Sequence, residues 1–131
     1  NVSKATLSAN GAHTKVVLGS DTSFDFPQAL QAHMSAAGYA KPDVTVGVRP
    51  EGVLVKRQET AGFIPVEAHI IEPLGAYDIV DLKIGSQFLR ARTPSGFVGK
   101  AGDTVWARLD EGQTHFFDSG SGNSLNIRLG G

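Results

Sequence analysis

The run Asp43-Val44-Thr45-Val46-Gly47-Val48-Arg49-Pro50-Glu51-Gly52-Val53-Leu54-Val55-Lys56-Arg57 decides the fold class. Val44, Val46 and Val48 alternate with Thr45, Gly47 and Arg49, and a side-chain period of two describes a half-buried strand. Arg49-Pro50-Glu51-Gly52 turns the chain, and Val53 to Arg57 resumes the extended pattern.

The same period recurs on both sides. Upstream, Val2, Ala5 and Leu7 face Val16, Val17 and Leu18 across Asn10-Gly11, a pair favoured where both central turn residues need positive φ. Gly19-Ser20-Asp21 breaks the pattern, and Thr22 to Phe26 forms another short strand. Pro27 to Ala37 is the helix candidate. Pro27 suits a first helical position, Ala29, Leu30, His33, Met34 and Ala37 recur at helical spacing, and Gly38 stops the helix ahead of Pro42.

Downstream, Gln58 to Gly62 reads as a loop. Phe63 to Glu72 is a strand with Val66, Ala68 and Ile70 on one face, and Pro65 puts it near an edge or a bulge because proline donates nothing to a ladder. Pro73-Leu74-Gly75 closes it. Tyr77, Ile79, Leu82 and Ile84 carry the next strand to a turn at Gly85-Ser86, and Phe88 to Arg92 follows. Thr93 to Asp103 is a loop, Val105, Ala107 and Leu109 mark a strand, and Asp110-Glu111-Gly112 a turn. His115-Phe116-Phe117 is a short strand, Asp118 to Asn123 a Gly/Ser loop, and Leu125, Ile127 and Leu129 a last strand. Short strands at near-regular spacing with one helix predict an all-β barrel or sandwich. No exact internal repeat is visible.

Composition narrows the chemistry. The 131 residues make one domain's length, and 40% hydrophobic content permits a buried core. Twelve Lys and Arg against thirteen Asp and Glu give a formal charge of −1, so nothing electrostatic favours a nucleic-acid or anionic-membrane partner. The absence of cysteine excludes disulfides, thiolate metal sites and thiol catalysis.

The candidate motifs fail individually. Gly96-Phe97-Val98-Gly99-Lys100-Ala101 lacks the leading glycine and the hydroxyl that a phosphate loop needs, having Pro94 and Ala101 there. Ser119-Gly120-Ser121-Gly122 lacks the spacing of a nucleophile elbow. Glu67 and His69 share a strand face but fall short of the three or four ligands of a zinc site. Asp78 and Asp81 read as a solvated strand face. Arg90 and Arg92, with Lys56-Arg57, are a thin footprint for nucleic acid.

Four segments in order carry a family resemblance. Val46-Gly47-Val48-Arg49-Pro50-Glu51 resembles the "GIRPE" signature in the C-terminal regulatory (TOBE/OB-type) domain of the ATP-binding subunits of bacterial sugar-type ABC importers. Ile70-Ile71-Glu72-Pro73-Leu74-Gly75 is similar to that family's "VExLG" strand end, and Gly102-Asp103-Thr104-Val105 to its "GdxV" strand start. His115-Phe116-Phe117-Asp118, followed by Gly120 or Gly122, is similar to its "HlFDxxxG" close. Gly52 departs from the pattern, since His commonly follows the glutamate, and Phe24 to Lys41 is longer than usual.

The resemblance implies small OB-fold-like barrels used for regulation. Residues 1–131 would be one such domain, with leading strands and a short helix in 1–42 and the main matched barrel in 43–131. A nucleotide-binding domain would precede Asn1 and hold the ATP and magnesium, leaving no catalytic, cofactor or metal site here. The implied setting is peripheral, on the cytoplasmic face of the inner membrane. Implied partners are a second copy, permease subunits reached through the preceding domain, and a cytoplasmic regulator, with no nucleic acid. Glu72 and Phe117, in two matched motifs, are the first choices for a self-association or regulatory surface, as a strand-end carboxylate and an aromatic anchor. Arg49 and Glu51 flank Pro50 and suit a charge pair fixing the turn, while Gly47, Gly75 and Gly102 read as backbone-geometry positions. The competing expectations are a small-anion or metabolite sensor and an oligonucleotide-binding module.

Overall fold

The computed structural model describes residues 2–10, 13–18, 22–27, 29–39, 41–85, 87–125 and 127. Among them are ten strands: β1 (Val2–Asn10), β2 (His13–Leu18), β3 (Thr22–Pro27), β4 (Asp43–Val48), β5 (Val53–Lys56), β6 (Ile64–Pro73), β7 (Tyr77–Ile84), β8 (Gln87–Pro94), β9 (Thr104–Leu109) and β10 (Thr114–Asp118). One α-helix, α1 (Ala29–Ala36), joins β3 to β4, and 3₁₀ turns at Pro50–Gly52 and Glu111–Gln113 precede β5 and β10. The all-β, OB-type barrel architecture with one short helix is as the sequence predicts.

The strands form two antiparallel five-stranded sheets, ordered β10-β4-β1-β2-β3 and β5-β9-β6-β7-β8. The two orders are one topology written twice. In each half a three-strand meander is followed by a fourth strand that returns beside the first, and then by a 3₁₀ turn. The fifth strand after that turn crosses to the other half. Thus β5 leaves the β1–β4 sheet to pair with β9, and β10 leaves the β6–β9 sheet to pair with β4. Each half completes its partner's sheet.

Alternation of apolar residues drives this. Val44, Val46 and Val48 on β4 and Val105, Ala107 and Leu109 on β9 point inward, and both sets join one continuous core. Phe26 and Phe116 meet edge to face across β3 and β10, ring centroids 5.8 Å apart, where that sheet curls toward closure. Leu30 and Met34 bury one side of α1, whereas Ala29, His33 and Ala37 stay exposed.

Some local expectations hold and others change. Pro27 ends β3 opposite His13 and does not open the helix, its fixed φ being as compatible with a strand end as with a first helical turn. Gly38, at φ 76°, stops α1 as foreseen: its N–H donates to Ser35 O and Tyr39 N–H to Met34 O, both at 3.0 Å, a Schellman close. A register shift between Ala68 and Ile70 turns Ile70 outward, 52% exposed, while Val66 and Ala68 remain buried. Pro65 sits where β6 pairs with β9 but not yet with β7, a single-neighbour position that spares its missing donor. The last segment bridges β10 at Ser124 and buries Ile127, with Leu129 outside the described residues. The turn at Gly11 and the break at residues 19–21 also lie outside them.

Candidate functional site

Among the described residues, two grooves open at matching places in the two halves. The larger, about 500 Å³, runs over a row in which Val17, Thr6 and Asp43 stand side by side on β2, β1 and β4. Ala5 and Val44, both buried in the core, also border it. Ser119, just past β10, and Gln87, the first residue of β8, close it. The smaller, about 390 Å³, is bounded by Arg57 just past β5, the segment Gly96–Gly99, and Asp103, Thr104 and Val105. Thr104 and Val105 open β9 as Asp43 and Val44 open β4, and Arg57 and Ser119 each follow an exchanged strand.

The larger groove has a braced wall. The buried Tyr39 hydroxyl donates to the Asp43 carbonyl, lies 3.2 Å from Ser119 Oγ, and accepts the Ser119 N–H at 3.4 Å. Next to it, Asp118 Oδ1 accepts the N–H groups of Gly120 at 2.7 Å and Ser121 at 3.2 Å and sits 3.9 Å from Lys41 Nζ. Those amides, then the lysine charge, hold the Asp118 carboxyl below its ordinary value.

In the smaller groove, the Arg57 guanidinium lies over the Phe97 ring, 5.0 Å from its centroid. Lys100 N–H is capped by Asp103 Oδ2 at 3.1 Å, so the loop that superficially resembles a phosphate cradle is satisfied internally. Behind it Asp78 is only 3% exposed. Its Oδ2 accepts the Gly96 N–H at 2.9 Å, and its Oδ1 has no hydrogen-bond partner. This corrects the solvated-face reading of Asp78. β7 buries Asp78, Val80, Leu82 and Ile84, leaving Tyr77 and Ile79 on the half-exposed side. Asp81, on that other side, pairs with Arg90 at 3.4 Å.

The sequence-expected positions are dispersed. Glu72 is exposed on β6 opposite Ile79, and Phe117 is half-buried on β10 opposite Thr45, in the other sheet. The structure does not bring the two together into one patch. No ion pair joins Arg49 to Glu51 among the described residues; the turn is held by Gly52 N–H on Arg49 O at 2.8 Å and by Val53 N–H on Pro50 O. Gly75 and Gly102 have φ of 93° and 95°, and Gly47 is an interior strand residue between Val2 and His115. His69 Nδ1 lies 2.9 Å from Glu67 Oε2 on an exposed face, beside the Phe88 ring at 5.1 Å. No cluster of three or more His, Asp or Glu able to hold a metal occurs among the described residues. Nor is any helix there long and apolar enough to cross a membrane.

The groove residues Thr6, Asp43, Gln87 and Ser119 belong to no motif. Register aligns Thr6 with Asp43, while Gln87 arrives from the other sheet and Ser119 from the segment after β10, a convergence that local sequence does not mark.

Comparison with known proteins agrees with this architecture. The chain is 33% identical over 112 residues to the sn-glycerol-3-phosphate import ATP-binding protein UgpC of Salmonella typhi, covering 84% of this chain and 31% of the relative. It is 38% identical over 79 residues to UgpC of Pectobacterium atrosepticum, covering 60% of this chain and 22% of the relative. The chain thus spans about a third or less of the relatives' length. Its fold is similar to that of the cytoplasmic molybdate-binding protein ModG, with a TM-score of 0.66, 16% identity, and coverage of 88% of this chain and 94% of the other. The TOBE domain profile matches residues 46–117, from the middle of β4 into β10, and the chain belongs to the TOBE domain family.

Proposed function

We propose that this chain is the regulatory and self-association module of an ATP-binding subunit that energises import of a carbohydrate or similar solute, glycerol 3-phosphate being the solute named for its relatives. The observation that carries the reading is the match to import ATP-binding proteins over 84% of the chain, with the TOBE profile across its middle. Nucleotide hydrolysis belongs, on this reading, to another part of the polypeptide, and the domain itself is not an enzyme.

Its task is mechanical. A domain that holds two ATPase subunits together keeps their nucleotide-binding parts at high effective concentration as they open and close. A regulator that binds the module differently in the open and closed states shifts that equilibrium by its differential affinity. The exchanged strands suit such a tether, because the halves cannot separate without breaking two ladders, β5·β9 and β4·β10. Glu72 and Phe117 remain the residues proposed for the self-association or regulatory contacts.

The test is a blot of the source cell, fractionated into soluble and membrane parts, with an antibody against this domain. A band far heavier than 13.8 kDa that travels with the membrane supports the reading. A soluble band at that mass overturns it. A second reading, small-anion sensing, draws on the ModG likeness of fold and on Arg57 beside the smaller groove. Calorimetry with molybdate, sulfate and sugar phosphates decides it, and silence across all of them removes it.

A further inference from the structure

We infer that the larger groove is a binding site for a small neutral polyhydroxylated solute, a polyol or unphosphorylated sugar. The argument begins with donor chemistry. Asp43 is exposed, and among the described residues no side-chain hydrogen bond or ion pair engages its carboxylate. An ionised carboxylate accepts through both oxygens and donates nothing, which suits two adjacent hydroxyl groups. The Thr6 hydroxyl both donates and accepts, Ser119 Oγ, its proton given to the Tyr39 hydroxyl, accepts, and the Gln87 amide supplies one acceptor and two donors. Together they can satisfy a solute whose every polar group is itself both donor and acceptor.

Register and bracing preorganise the set. Thr6 stands directly opposite Asp43 in the β1–β4 ladder, and Tyr39 fixes Ser119 through both its hydroxyl and its backbone N–H. The half-buried Val17 offers apolar surface for the C–H side of the solute. The volume of about 500 Å³ lies within the range of about 300–1,000 Å³ usual for small-molecule sites.

Charge selects against the alternatives. An anion would meet Asp43, and among the described residues no Lys or Arg lines this groove to offset it. A divalent cation would want several carboxylate ligands, and no such cluster occurs among the described residues. Because Gln87 comes from the β6–β9 half while Thr6 and Asp43 belong to the other, a bound solute would brace the two halves against each other. This inference stands apart from the regulatory reading above, since binding is read on the chain alone.

The experiment is a titration of the intact chain followed by amide ¹H–¹⁵N spectra, with glycerol, myo-inositol and glucose as neutral probes and sulfate and molybdate as anionic ones. The expected result is saturable shifts at Thr6, Asp43, Val44, Gln87 and Ser119 with a neutral probe. Asp43→Ala and, separately, Gln87→Ala should each weaken that affinity, the former about tenfold or more, the loss typical of a hydrogen bond to a charged group. Three results overturn the proposal: no shifts at these amides with any neutral probe, shifts that neither substitution weakens, or occupation of the groove by sulfate or molybdate. Both substitutions are at strand ends, and the spectra themselves report whether each variant is folded.

Discussion

Gly52 and Gln113 meet where the two 3₁₀ turns cross. A Cβ placed on Gly52 would lie 3.0 Å from Gln113 Cβ and 2.9 Å from Val48 Cγ2, and the Gly52 carbonyl accepts the Asp110 N–H at 2.8 Å. These turns send the chain from one sheet into the other, so their contact sits at the centre of the strand exchange. The departure of Gly52 from the family's usual His acquires a physical reason: a side chain here has no room beside Gln113.

Gly52→Ala is therefore expected to destabilise the domain by about 1–3 kcal/mol, the usual cost of overpacking a filled site. Gln113→Gly in the same chain should recover part of that loss by withdrawing one of the two clashing atoms, offset partly by its own added chain entropy. Urea denaturation of the single and double variants checks both statements. An unchanged midpoint for Gly52→Ala would show that the turns part easily.

Asp78 gives a second expectation. Its carboxylate is buried at the start of β7 and anchors the loop after β8 through Gly96 N–H. Asp78→Ala removes that anchor and leaves a small void, for a loss of about 1–3 kcal/mol. Asp78→Asn keeps an oxygen for Gly96 and should lose less. The exposed Glu59→Ala serves as a comparator, expected within about 0.5 kcal/mol of the parent in the same thermal melts.

How far the sequence reads the molecule follows from what determines each feature. Strand identity comes from local alternation, and Val44 to Val48, Val105 to Leu109 and the Val2–Leu18 hairpin are all legible in it. Asp78 was legible too, since it has the parity of Val80, Leu82 and Ile84; its charge outweighed the pattern. The bulge at Ala68/Ile70 was not, because one inserted residue reverses every face after it and leaves no mark in composition. The repeat of the two halves is hidden for a similar reason: Val44-Thr45-Val46 and Val105-Trp106-Ala107 keep the alternation of burial but share only the first valine. The larger groove depends on Thr6, Asp43, Gln87 and Ser119 arriving from four separate segments, which register and the packing of one sheet against the other decide.

The two adjacent phenylalanines of β10 separate a core role from a surface one. Phe116 is fully buried against Phe26, so Phe116→Ala is expected to cost about 3–5 kcal/mol. Phe117 points to the other side and is half-buried, so Phe117→Ala should cost clearly less in the same denaturation series. Glu72→Ala, at an exposed site, should leave stability within about 0.5 kcal/mol. On the proposed self-association role, sedimentation of the full polypeptide carrying Glu72→Ala then reports association without a folding defect, and an unchanged association constant would remove Glu72 from the proposed surface.

Acid should weaken the domain partly through Asp118. Gly120 and Ser121 N–H groups, then Lys41, depress its carboxyl in the folded state. A carboxyl with a lower folded than unfolded value binds its proton more readily in the unfolded chain. Its contribution is therefore complete above the unfolded value, near pH 4, and is lost as pH falls through the folded one. Asp118→Asn keeps the side chain's shape and removes the titration. The gap in urea midpoint between parent and variant should be present at neutral pH, hold down to about pH 5, and narrow below about pH 4. A gap that stays constant from neutral pH to pH 2 would mean that the loop after β10 is held by its backbone bonds, Asp118 N–H to Asn123 O and Gly122 N–H to Asp118 O, and not by the charge.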